Sequence, residues 1–272
     1  MSTPGFRLSR SSTWGLRGLV ALVLAFVYVP LAVVVINSFN SDQTFSWPPR
    51  GFTLEWWKRA KDNTGMVEAL QHSVVVGLAA TAVALVLGTL AAFALQRNTF
   101  FGREAVSLLI VLPIALPGIV TGIALSNAFT TILGVDISIW SLVIAHATFC
   151  IVVVFNNVVA RLRRLGGNIE EASMDLGATW FTTFRLVTLP NLGSALLAGA
   201  LLAFALSFDE IVVTTFTAPA DVQTLPLWIY SNLLSRQQAP IVNVAAAGLI
   251  ILSIIPIYLS QKLSGDATGG RL

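Results

Sequence analysis

Six predominantly apolar stretches run through the chain, at roughly 15 to 37, 69 to 96, 105 to 133, 138 to 160, 190 to 212 and 240 to 261. A helix rises about 1.5 Å per residue, so about 20 residues cross the roughly 30 Å of bilayer hydrocarbon. The pattern predicts an all-α membrane protein of six transmembrane helices, a single membrane domain over residues 1–272. Small residues recur four apart at Ala80, Ala84, Gly88 and Ala92, and again at Ala195, Gly199, Ala203 and Ser207. That spacing holds each set on one helical face, where backbones approach closely; the second set suits a helix partner or a pore wall. In the third stretch, "LPIALPGIVTGIAL" brings Pro113, Pro117, Gly118 and Gly122 together. A bend or an opened hydrogen-bond ladder is expected there, either lining a cavity or fixed by packing.

Arg7, Arg10 and Arg17 precede the uncharged part of the first stretch as they would in a signal peptide. Its uncharged core, Gly18 to Ile36, is longer than an h-region and no small-x-small cleavage site follows, so a retained span is expected. The loop after it carries "FSWPPRGFTLEWWKRA". Pro48, Pro49 and Gly51 break any helix before Thr53 caps a short one. Trp47, Phe52, Trp56 and Trp57 suit the headgroup level, as an anchor in membrane lipid or a docking surface for an external partner.

Composition changes the picture only by exclusion. With 56% hydrophobic and 11% charged residues, the chain lies outside the range of soluble domains. Basic residues set the orientation: eleven fall in the segments that are inside if the N-terminus is cytoplasmic, and five fall outside. That bias favours both termini in the cytoplasm. The net charge of +3 therefore reflects topology, and no basic, aromatic-interleaved surface points to nucleic acid. Cys150 is the only cysteine, and His72 and His146 stand apart, which predicts hydrogen-bonded packing residues and no metal centre.

One polar segment, roughly 166 to 187, interrupts the apolar pattern between the fourth and fifth stretches. Arg161, Arg163 and Arg164 mark the cytoplasmic end of the fourth, and Gly166 and Gly167 let the chain turn. Asn168 is placed as an N-cap with Glu171 reaching back, and Glu170, Glu171 and Asp175 favour the positive end of a short helix. Ile169, Ala172, Ser173 and Leu176 form its less polar face, and Gly177 ends it with a left-handed residue. Thr179 caps a second turn carrying Trp180, Phe181 and Phe184 before Pro190 opens the fifth span. Anionic inner-leaflet lipid repels three acids within one and a half turns, which favours a docking element for a cytosolic protein.

Glu171-Ala172-Ser173, three residues, Gly177, nine residues, then Val187-x-Leu189-Pro190 resembles the EAA motif of permease subunits in bacterial ABC importers. Ser173 replaces the third alanine and Val187 an isoleucine, and both keep size. "ALQHSVVVG", "SIWSLVIAHATFC", "SFDEIVVTTF" and "LPLWIYSNL" resemble one branch, the spermidine/putrescine permeases of the second type. The resemblance implies a type I ABC importer permease fold in the bacterial inner membrane. It implies a coupling helix made by Glu170, Glu171, Ala172, Ser173, Asp175, Leu176, Gly177 and Pro190, fitting a cleft on a cytosolic ATPase. The implied partners are a second homologous permease, two ATPase copies and an external solute-binding protein.

No G-x-x-x-x-G-K-[ST] phosphate loop is present, so ATP and magnesium belong to the partner ATPase, and no cofactor or enzymatic role is expected of this chain. A polycation crossing a low-dielectric passage needs acids or aromatic faces. Asp209 and Glu210, with Ser207 and Phe208, are the candidates; taking the fifth stretch as helical throughout, Glu210 falls at about 60° from Ala195, inside the small-residue sector. Asp209 lies about 28 Å beyond Pro190, which suits an entrance, or else solvated acids at a helix end. The alternatives are an importer for another small solute (an amino acid derivative, opine, iron or thiamine) and an ion-coupled secondary transporter, which commonly carries ionisable groups deep in its spans.

Overall fold

A computed structural model describes residues 9–43 and 47–252. Among them every regular element is helical apart from an isolated antiparallel bridge, Asn40 to Phe52. Two compact units are distinguished, the described parts of Met1–Thr64 with Ser231–Leu272, and Gly65–Tyr230.

In the first unit, α1 (Arg10–Asn37) starts about a turn earlier than its apolar stretch, because the Ser9 hydroxyl accepts from the Ser12 amide and caps it. The loop helix is α2 (Glu55–Asp62), with Leu54 at its N-cap; Thr53 still accepts the Glu55 amide. Its tryptophans do not share one role. Trp56 is buried and its Nε1 donates to the Asn40 carbonyl at 2.8 Å, and Trp57 stacks on Phe39, whereas Trp47 and Phe52 remain exposed. A buried indole needs an acceptor, and the Asn40 carbonyl supplies it. The sixth stretch is seen as a helix over Ala239–Leu252; the remainder of 240 to 261 lies outside the described residues.

The second unit is built on α6 (Ile139–Leu165). Leu142, His146, Cys150, Val154, Val158 and Leu162, four apart, have no exposed surface. The small-residue stripes of α3 (Thr64–Arg97) and α9 (Leu189–Phe208) close on that row. A Cβ at Gly88 would lie 2.9 Å from the Ile151 carbonyl oxygen and 3.0 Å from Val154 Cβ, and one at Gly199 would lie 3.4 Å from Val154 Cα. Val154 is thus gripped from two sides by helices that bring glycine to it. In lipid, where burial of apolar surface gives little drive for helix association, such close packing carries the assembly. The α9 stripe is a helix contact, with the Cys150 thiol donating to the Ala203 carbonyl.

The third stretch divides into α4 (Arg103–Ala115) and α5 (Gly118–Asn127), bent by 109° and followed by a π turn at Ala128–Ile132. Leu116, held extended (φ −83°, ψ 144°) ahead of Pro117, makes the break, as steric conflict with the proline ring requires. α5 lies against α10 (Val212–Thr217), where Gly118 meets Val212 and Gly122 meets Phe216. Four helices among the described residues are long and apolar enough to cross a bilayer, Ser11–Asn37, Thr64–Arg97, Ile139–Leu165 and Trp180–Phe208, and the bent pair makes a fifth if it is one span.

Candidate functional site

The polar segment folds as α7 (Asn168–Asp175), a tight turn and α8 (Trp180–Thr183), which runs through a π turn, Phe184–Thr188, into α9. Gly166 adopts φ 65° and lets the chain leave α6. Asn168 is not the N-cap: Gly167 occupies that position without a side-chain bond, and Asn168 is already helical. The two adjacent glycines complete the turn by Gly167, so the helix begins one residue earlier than the capping signal suggests. The Glu171 carboxylate folds back over Gly167, 3.5 Å from where a Cβ would stand.

The end of α7 follows the expected design. Gly177 has φ 89°, its amide donates to Met174, and the Ala178 amide donates to Ser173, the paired bonds of a Schellman motif. Thr179 then accepts from the Thr182 amide and caps α8. Pro190 stands in the first turn of α9 as expected, but the chain enters that helix from a π turn and not from a loop. Lacking an amide to pair with the Leu186 carbonyl, Pro190 follows a π turn in which the Leu189 amide reaches back five residues to Phe184.

No residue of α7 is buried. Glu171, Ala172, Asp175 and Gly177 are exposed, and Leu176 stands 90% exposed beyond them, an apolar tip on a polar helix. Ser173 is half-buried and its hydroxyl pairs with Thr183 at 3.0 Å, so the residue that departs from the EAA pattern ties α7 to α8. Glu170 turns the other way. Its Oε2 lies 2.8 Å from Arg97 Nε, and its Oε1 accepts from Arg97 Nη2 and the Thr188 hydroxyl, each at 3.1 Å. Arg97 Nη2 also donates to the Gly166 carbonyl at 2.8 Å. A cleft of about 570 Å³ opens beside this cluster, walled by Phe93, Arg97, Glu170, Trp180 and Phe184.

The second candidate group sits at the far end of α9. The helix stops at Phe208, so the angular placement of Glu210 on its small-residue face does not hold. Asp209 is the C-cap and exposed; Glu210 is half-buried in the turn before α10, with Oε1 accepting the Val213 amide at 2.8 Å. Ser207 faces inward, buried, and meets His146 Nδ1 at 2.8 Å; His146 Nε2 meets Thr214 Oγ1 at 2.9 Å. Thr214 gives its one hydroxyl proton to the Glu210 carbonyl. His146 therefore donates from Nε2 and accepts the Ser207 hydroxyl at Nδ1, a neutral tautomer with both nitrogens satisfied. One imidazole on α6 thus bridges both rims of the break that carries the two acids. His72 is likewise hydrogen-bonded, to the Gln223 carbonyl at 3.2 Å.

Residues 84–266 match the family described as binding-protein-dependent transport system inner membrane component. The chain belongs to that family. Among its members the spermidine/putrescine transport system permease protein PotC of Escherichia coli K12 is 35% identical over 255 residues, 93% of this chain and 95% of PotC. The putrescine transport system permease protein PotI of the same organism is 34% identical over 221 residues, 79% of this chain and 78% of PotI. In fold the chain resembles one from the MetNI methionine ABC transporter in inward-facing conformations, with TM-score 0.51 and 19% identity over 75% of this chain and 92% of that one. The protein is a multi-pass inner-membrane transport component, and both α7 and the acidic break lie inside the region matched to the family.

Sequence reasoning missed Arg97 and His146 as parts of these sites. The signal for Arg97 was its place as a lone arginine closing an uncharged run. His146 was legible as a hydrogen-bonded residue; its partners, 61 and 68 positions away, were not.

Proposed function

We propose that this chain is a permease subunit of an ATP-driven importer for polyamines, spanning the inner membrane six times with both termini cytoplasmic. It forms half of the pathway with a second homologous permease, above two cytosolic ATPases and below an external solute-binding protein. The observation that carries the reading is α7: an exposed short helix with the EAA spacing, ended by a left-handed Gly177 and presenting Leu176 outward. A helix without a buried residue gains nothing from its own core and makes sense as a surface for a partner. Glu171, Ala172 and Leu176 are its contact face, and Glu170 works from within. The polyamine assignment follows the names carried by PotC and PotI, together with the acidic turn at Asp209 and Glu210. Those acids attract the cation as it leaves the binding protein.

The test is reconstitution with the neighbouring permease, ATPase and binding protein in proteoliposomes. ATP-dependent spermidine or putrescine uptake is expected, reduced at least about tenfold in Asp209→Asn with Glu210→Gln while the complex still assembles. Uptake without the ATPase, or unchanged uptake in the doubly neutralised variant, would refute the first or the second part respectively.

A further inference from the structure

Resting on that functional reading, the structure assigns Arg97 as a positioning residue for coupling: its guanidinium, with the Glu170 carboxylate, fixes the direction of α7 and ties it to α3. α7 hangs between two glycines at positive φ, Gly166 at 65° and Gly177 at 89°, which are natural pivots. None of its residues is buried, and its apolar side chains Ile169 and Met174 are only partly covered. Among the described residues, two side-chain contacts hold its direction. Ser173 with Thr183 joins it only to the adjoining turn. The Arg97–Glu170 pair reaches further, because a single cluster gathers the last residue of α3, the Gly166 carbonyl at the end of α6, the first turn of α7 and Thr188 in the π turn leading to α9.

The chemistry suits a stiff link. A guanidinium offers several donors in a fixed fork, so it can serve a carboxylate and a carbonyl at once where an ammonium would act as a point charge. The side chains retain only 24% and 18% exposure, which limits solvent screening of the pair. Arg97 also stands where a cation is favoured, at the C-terminal end of α3. Any rotation of α7 about its glycine pivots must therefore pull on α3 or break the pair. Glu170 and Glu171, neighbours in sequence, divide the work: one anchors the lever and the other faces the partner.

The experiment compares wild type, Arg97→Gln and the exchanged pair Arg97→Glu with Glu170→Arg in the reconstituted complex, measuring solute imported and ATP hydrolysed in the same vesicles. Arg97→Gln is expected to lower solute moved per ATP at least about fivefold while the ATPase still co-purifies, and the exchanged pair to recover part of the ratio. In the purified permease without its ATPase, a nitroxide on Leu176→Cys reads the lever free of the partner contact; Cys150 is buried, so labelling is selective. Its spectrum should sharpen towards fast motion in Arg97→Gln. An unchanged ratio with an unchanged spectrum overturns the inference, as does a proportional fall of uptake and hydrolysis with an immobile label. A wild-type complex that neither assembles nor transports defeats the functional reading and takes this inference with it.

Discussion

Replacing His146 with Leu removes two hydrogen bonds while nearly preserving volume, which isolates the polar contribution of the site joining α6, α9 and α10. The imidazole has no exposed surface, and its partners stand at 2.8 Å and 2.9 Å. Interhelical hydrogen bonds inside membranes contribute about 0.6 kcal/mol on average and about 1.7 at most. Two of them set the loss at about 1–3 kcal/mol, with little added for a cavity. Relief is limited: Thr214 keeps its bond to the Glu210 carbonyl, but Ser207 must fall back on the Ala203 carbonyl one turn earlier, which the Cys150 thiol already occupies at 3.3 Å. Unfolding in mixed micelles by increasing SDS fraction measures the loss. A double-mutant cycle with Ser207→Ala, expected to give a coupling of about 0.6–1.5 kcal/mol, shows whether the two side chains act on each other. Equal stability of His146→Leu and wild type within about 0.5 kcal/mol, or strict additivity in the cycle, would refute the assignment of His146 as the bridge across the break.

Two further outcomes follow from the packing and the lever. Gly88→Val should lower the unfolding midpoint by an amount equivalent to about 1–3 kcal/mol, because its Cβ meets the Ile151 carbonyl at 2.9 Å; Gly193→Ala, with nothing within 4 Å, should not destabilise. Glu171→Lys reverses the charge of an exposed side chain on α7 and should abolish co-purification of the ATPase without changing the permease's own SDS midpoint by more than about 0.5 kcal/mol, since surface positions contribute little to folding.

The amino-acid sequence alone determined the long apolar helices and part of the local punctuation. Length and apolarity gave the long spans, Pro117 the break in the third, Gly177 the end of α7 and Thr179 the start of α8, because each depends on contacts within a few residues. The four-residue stripes also announced which faces would pack, though not that Gly88 and Gly199 would close on the same valine. Local signals misled where two competed: adjacent glycines took the cap from Asn168, and a helix assumed to continue past Phe208 misplaced Glu210. Only the tertiary structure decided that Glu170 turns to Arg97, 73 positions away, while Glu171 faces outward, and that His146 holds both sides of the acidic turn. The physical reason is range. Capping, helix propensity and proline sterics act between neighbours and are written in order along the chain, whereas an ion pair or a bridging imidazole selects its partner by distance in space, which the order of residues does not contain.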